Sequence, residues 1–263
     1  MGYAKWIGGS IGWALGGPIG AVAGFALGSL FDNSSNVSQY DEEFANTQQS
    51  RSQHRQQTQG GDFGMSMVIL SAAVMKADGR VMKSELEFVK SYLVQQFGAS
   101  QAKELTTALK EVLKHEVSVR QVCLQIRANM THAMRLQLLH YLFGVAYADA
   151  NAHTAELNTL NTIARYLGIS QKDFYSINAM FGAAGGSARP GSSKLGLSSS
   201  YKILEISSSV SDDEVKKSYR KMAKKYHPDK VASLGPEFQN AAKEKFQKVQ
   251  QAYEEVKKSR GMN

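Results

Sequence analysis

The chain has 263 residues, 43% hydrophobic and 21% charged, enough apolar side chains for one large or two small cores and too many for a wholly disordered chain. Its 31 Lys+Arg against 23 Asp+Glu leave a formal charge of +8, compatible with nucleic acid, a membrane surface or an acidic protein as partner. The single cysteine, Cys123, excludes an intramolecular disulfide and CxxC zinc sites and favours a reducing compartment. The charge is unevenly spread: residues 1 to 62 carry 3 basic and 5 acidic side chains, residues 63 to 182 carry 12 and 9, and residues 183 to 263 carry 16 and 9. Binding driven by positive charge is therefore expected in the last third.

From Trp6 to Phe31 no ionisable side chain occurs, a run of 26 residues. As a helix it would extend about 39 Å against a bilayer core of about 30 Å. Within it Gly8, Gly12, Gly16, Gly20, Gly24 and Gly28 recur at every fourth position, a bare stripe that lets two helices approach closely in lipid. Tyr3, Lys5 and Trp6 suit the membrane interface, and Pro18 predicts a kink. Three other readings compete. Lys5, the apolar stretch and Ala21-Val22-Ala23 imitate a signal peptide, but the run continues well past Ala23. A hairpin turning at Gly16-Gly17-Pro18 would leave halves too short to span, and nine glycines among residues 1 to 31 make a poor helix in water. The preferred reading is a single transmembrane anchor, residues 1–32, that self-associates into a homodimer.

Residues 33–62 are rich in Gln and Ser with few large apolar groups, and residues 183–200 are rich in Gly and Ser. Both read as flexible linkers, so the domain after the second is expected to swing. Between them, residues 63–182 read as a helical bundle. Met67, Leu70, Ala73, Val74 and Ala77 follow helical spacing, as do Leu86, Val89, Leu93 and Phe97, and then Leu139, Leu142, Phe143 and Ala146. Polar breaks near Asp78-Gly79, Gly98, His115 to Ser118 and Asp149 to His153 predict six or seven helices. At an offset of 71 residues Val74, Ala77, Asp78, Glu85 and Leu86 align with Val145, Ala148, Asp149, Glu156 and Leu157, as two pseudo-symmetric helix pairs would require.

In that arrangement Asp78, Glu85, Asp149 and Glu156 could meet and offer oxygen ligands to a hard divalent cation. The stronger reading is structural, since Asp at a helix break caps backbone N–H groups and Glu in a first turn complements the helix dipole. No metal site is therefore assigned. KADGRVMKSELEFV and AYADANAHTAELNTL resemble the TerB-like domain of tellurite-resistance proteins. That family implies an interaction or metal-linked role more than a defined chemistry. The six histidines form no HExxH pattern, Cys123 beside Leu124 and Ile126 reads as core, and P-loop, dinucleotide and Gly-x-Ser-x-Gly motifs are missing from the sequence.

The clearest local signal begins at Ser211-Asp212-Asp213-Glu214, a capping box that starts a helix. Val215, Tyr219, Met222 and Tyr226 share one face, while Lys216, Lys217, Arg220, Lys221, Lys224 and Lys225 occupy the other. Pro228 disfavours helix at His227, which leaves His227-Pro228-Asp229 in a loop. A second helix after Pro236 carries Phe238, Phe246, Val249, Tyr253 and Val256, and the two stripes predict an antiparallel hairpin. Tyr201, Ile203, Leu204 and Ile206 can close its end. YKILEISSSVSDDEVKKSYRKMAKKYHPDK followed by KFQKVQQAYEEVKK resembles a J domain, residues 201–263. The order of anchor, TerB-like bundle, Gly/Ser linker and J domain resembles the DjlA type of membrane-anchored, DnaJ-like co-chaperones.

The resemblance implies that His227, Pro228 and Asp229 signal to a DnaK-type heat-shock chaperone while Lys216, Tyr219, Arg220, Lys221, Lys224, Lys225 and Lys230 dock its acidic surface. Val231 departs from the polar residue often found after the basic position. The Gly/Phe-rich and zinc-binding regions of full-length DnaJ proteins are missing, which argues against independent client holding. The expectation is an all-α, non-enzymatic co-chaperone without cofactor that stimulates the partner's ATPase and recruits it to the bacterial inner membrane. Lys5 weakly favours a cytoplasmic N-terminus, but a partner that needs ATP places the J domain on the cytoplasmic side of a single-pass protein. Two alternatives are a nucleic-acid-binding basic helix, disfavoured because neither an aromatic stacking surface nor a base-reading motif accompanies it, and a metal-responsive sensor built on the TerB-like domain.

Overall fold

The computed structural model describes residues 55–149, 152–185, 196–234 and 236–262, together with Ile19, Gly20 and Gly24. Among the described residues the chain is helical and contains no strand. Six helices make the middle bundle: α1 (Arg55–Met75), α2 (Lys83–Lys114), α3 (Val119–Asn129), α4 (His132–Ala146), α5 (Thr154–Tyr166) and α6 (Gln171–Gly185). The C-terminal unit comprises α7 (Leu197–Ile203), α8 (Asp212–Lys225), a 3-10 turn (Pro228–Leu234) and α9 (Pro236–Arg260).

Sequence pattern explains which helices lie inside. Met67, Val68, Ile69, Leu70, Val74 and Met75 of α1, and Leu136, Leu138, Leu139, Leu142, Phe143 and Val145 of α4, are 2% exposed or less. A helix apolar on all sides belongs in the centre of a bundle. α1 therefore packs on α2, α4 and α5, while α4 also meets α6. Ser71, buried inside α1, donates to the Met67 carbonyl at 2.7 Å and shares a 2.8 Å hydrogen bond with the Tyr141 hydroxyl. Gly144 of α4 permits close approach of α2, because a Cβ there would lie 2.5 Å from the Phe88 ring. Gly98, at φ 75° and ψ 167°, interrupts α2.

The backbone helix of α1 begins at Arg55, inside the segment 33–62 read as a linker. Extending a formed helix is far cheaper than nucleating one, and Gln and Arg are good helix formers. Of the N-terminal anchor, Gly20 and Gly24 are described and helical, whereas Gly8, Gly12, Gly16 and Gly28 lie outside the described residues. No helix among the described residues is long and apolar enough to cross a membrane.

In the C-terminal unit Val215 and Met222 of α8 and Val249, Ala252 and Val256 of α9 are buried where the two helices pack. Tyr219 stacks on Tyr253 with ring centroids 4.2 Å apart. Arg260 ties the end of α9 back, donating to the Tyr201 hydroxyl at 2.7 Å, the Val210 carbonyl at 2.7 Å and the Ser208 carbonyl at 2.6 Å.

The two units are in contact, unlike the independently swinging domain expected from the Gly/Ser segment. α6 packs on α7, α4 touches the 3-10 turn, and α9 reaches α2. Phe238 shows why: its ring stands edge-on to Phe63 at 5.0 Å and Phe97 at 5.8 Å. The apolar stripe of α9 extends past what α8 covers, and the excess is buried against the middle bundle.

Candidate functional site

Ser211 caps α8 as its sequence requires, accepting from the Glu214 N–H at 3.3 Å, while Glu214 accepts from the Ser211 N–H at 3.1 Å. Asp212, Asp213 and Glu214 occupy the first turn and Lys224 and Lys225 the last, so the charges complement the helix dipole at both ends. Lys216, Lys217, Arg220 and Lys224 are exposed. Lys221 lies 3.5 Å from Glu205. Lys225 turns inward, its side chain 14% exposed, and bridges Glu205 at 2.6 Å and Asp173 of α6. Tyr219, packed on Tyr253, holds the hairpin together beneath the charged face.

Glu205 and Asp173 are neighbours of this face that sequence reasoning missed. Glu205 adopts φ 59°, a left-handed conformation costing a non-glycine residue about 1 kcal/mol. Its carboxylate, 4% exposed, sits between two lysines that offset that cost. Asp173 shares the start of α6 with Ser170, whose hydroxyl donates to it at 2.7 Å. Burial alone would raise the Asp173 carboxyl, but hydrogen bonds from Lys225 and Ser170 outweigh it and hold the group below its ordinary range. A Ser-x-x-Asp cap was readable in the sequence, whereas its second partner 52 residues away was not.

His227-Pro228-Asp229 runs from the end of α8 into the 3-10 turn. The Asp229 N–H donates to His227 Nδ1 at 3.3 Å, and that nitrogen lies 3.4 Å from Asp229 Oδ2. The His227 ring stands edge-on to Phe246, 6.1 Å away. Both polar side chains stay open, His227 at 50% and Asp229 at 84% exposed. Lys230 is exposed, but Val231 is buried at 3%. One end of this turn thus offers imidazole and carboxylate to a partner while the other is anchored. The chemistry the turn displays is an imidazole beside a carboxylate, both open to solvent.

The acidic residues of the middle bundle behave chiefly as caps. Glu85 accepts from the Met82 N–H at 2.7 Å, Glu156 from the His153 N–H at 2.6 Å, and Asp78 from the Arg80 N–H at 2.9 Å, while Asp149 is exposed. Among the described residues no group of three or more His, Cys, Asp or Glu could hold a metal ion. Asp78, Glu85 and Glu156 thus each commit one carboxylate oxygen to a backbone N–H at a turn or helix start, the geometry of the capping role weighed against the cation quartet from sequence. Glu85 and Glu156 do meet, at 3% and 4% exposure. Burial, opposed by the Met82 N–H and reinforced by Glu156 and Asp78, pushes the Glu85 carboxyl up to about 7. Cys123 is fully buried, and burial pushes its thiol up to about 12.

A capped cationic helix, an exposed His-Pro-Asp turn and an antiparallel return helix define a J-domain protein, and residues 199–260 match the family model of the DnaJ domain. Residues 65–179 match that of tellurite resistance protein TerB, and residues 1–52 that of the co-chaperone DjlA transmembrane domain. The chain is 30% identical to the Co-chaperone protein DjlA of Vibrio vulnificus strain YJ016, over 89% of this chain and 90% of the relative. It is 30% identical to that of Vibrio cholerae, over 76% and 79%, and 28% identical to that of Coxiella burnetii, over 98% of each. No solved structure matches it. The chain belongs to the DjlA family of DnaJ-like co-chaperones, with transmembrane, TerB and J domains in that order.

Proposed function

We propose that this co-chaperone is anchored in the bacterial inner membrane by one span, dimerises through its glycine stripe, and presents its J domain to a cytoplasmic DnaK-type chaperone, stimulating ATP hydrolysis there. The observation that carries the reading is the exposed His227-Pro228-Asp229 turn beside the cations of α8. Lys216, Lys217, Arg220, Lys224 and Lys230 steer and orient an acidic partner, with Lys221 and Lys225 at the edge of that face. The turn then makes contacts that differ between the partner's nucleotide states, which is what shifting its hydrolysis requires. ATP and its metal belong to the partner. The test is single-turnover ATP hydrolysis by a DnaK-type chaperone with the full chain in lipid nanodiscs. Stimulation is expected from the wild type and is abolished by His227→Gln, and an inactive wild type overturns the reading.

A further inference from the structure

The contact between the J domain and the TerB domain falls on the flank of the proposed docking face. Lys225, one of its cations, is drawn to Asp173 on α6. Ten residues or fewer past the His-Pro-Asp turn, Val231 and Phe238 are 3% and 2% exposed, Phe238 against Phe63 and Phe97. The turn that must engage a partner is therefore held at its far end by the TerB domain.

The seam has the composition of a contact that opens. Lys245 of α9, 3% exposed, donates to the neutral Gln137 of α4. No carboxylate within ion-pair distance of it is found among the described residues. The Gln137 amide nitrogen, His140 Nε2 and the Tyr226 hydroxyl are buried beside it without partners. Burial drives the Lys245 ammonium well below its ordinary range. Each group recovers water when the units part, so the apolar gain at Phe238 is opposed by polar desolvation along the same seam. A permanent core would place apolar residues there.

We infer that the TerB domain holds the J domain in a docked, attenuated state, Asp173 competing with the chaperone for Lys225, and that full engagement requires the J domain to leave α4 and α6. This rests on the co-chaperone reading for its consequence, though the docking itself can be measured without a chaperone. Spin labels at Asn158→Cys on α5 and Gln250→Cys on α9, both exposed positions, report the separation in the full chain in nanodiscs when the labelled chain is diluted into excess unlabelled wild type, so that only distances within one protomer are read, and the buried Cys123 does not compete for label.

The wild type is expected to give one narrow distance that lengthens and broadens when the DnaK-type chaperone and ATP are added. Asp173→Asn, which keeps the capping group but loses the charge, populates the long distance and raises ATPase stimulation at limiting chaperone by about fivefold. Lys245→Met removes the buried amine, narrows the distribution and lowers stimulation by a similar factor. A broad wild-type distribution, or Asp173→Asn and Lys245→Met forms that move the distance but leave stimulation unchanged, overturns the inference. Normal distance changes with no stimulation from any form would instead overturn the co-chaperone reading.

Discussion

Glu85 and Glu156 stand at equivalent places in the two halves of the TerB domain, each closing the first turn of its helix. Together they bury two carboxyl groups where one proton is worth more than two charges. Glu85 titrates near 7 in the folded chain against an ordinary 4.5, so between those values the native state holds a proton that the unfolded chain has released. Its contribution is fully present below about pH 4.5 and is lost as pH rises through 7. Urea denaturation is expected to show the TerB domain less stable at pH 8 than at pH 5.5, this pair accounting for on the order of 1–2 kcal/mol. Glu85→Gln should remove that part of the difference, since its amide can donate to Glu156 at any pH. The 71-residue repeat made the pairing of the two halves legible in the sequence. Their burial was not, because a Glu in a first turn looks the same whether solvent or another carboxyl faces it.

Helix boundaries were legible wherever the backbone itself demands a particular residue. The breaks at Asp78-Gly79, Gly98 and His115 to Ser118 coincide with ends or interruptions of helices. Gly98 carries the sharpest demand, since φ 75° with ψ 167° is a region essentially closed to other residues. Gly98→Ala meets no atom within 4 Å yet is expected to destabilise the bundle by about 1–3 kcal/mol through backbone strain alone. Thermal unfolding of the variant checks this, and an unchanged midpoint would mean that α2 straightens at no cost. Two further boundaries escaped the periodicity. Thr131 caps α4 through the Met134 N–H at 3.3 Å, and Gly168, at φ 68°, ends α5. Each connection is so short that the apolar pattern runs on across it.

For the whole molecule, the anchor and the J domain act on one question, which side of the membrane each end occupies. Protease added to sealed inverted vesicles is expected to remove the J domain, and protection of it would reverse the proposed topology. The arrangement of modules was readable from composition and motif, but their contact was not. Helical spacing assigns Phe238 to the hairpin's own stripe, and only a partner far along the chain, Phe63, shows otherwise. That contact bears on how such proteins are taken apart. A fragment cut within the Gly/Ser segment would leave Phe63 and Phe97 bare on one piece and Phe238 on the other. Each piece gains a sticky aromatic patch, and the J-domain piece also loses its Asp173 partner. Dissection by truncation would therefore change the quantity it sets out to measure, yielding a J domain less restrained, and less soluble, than the one the intact chain displays.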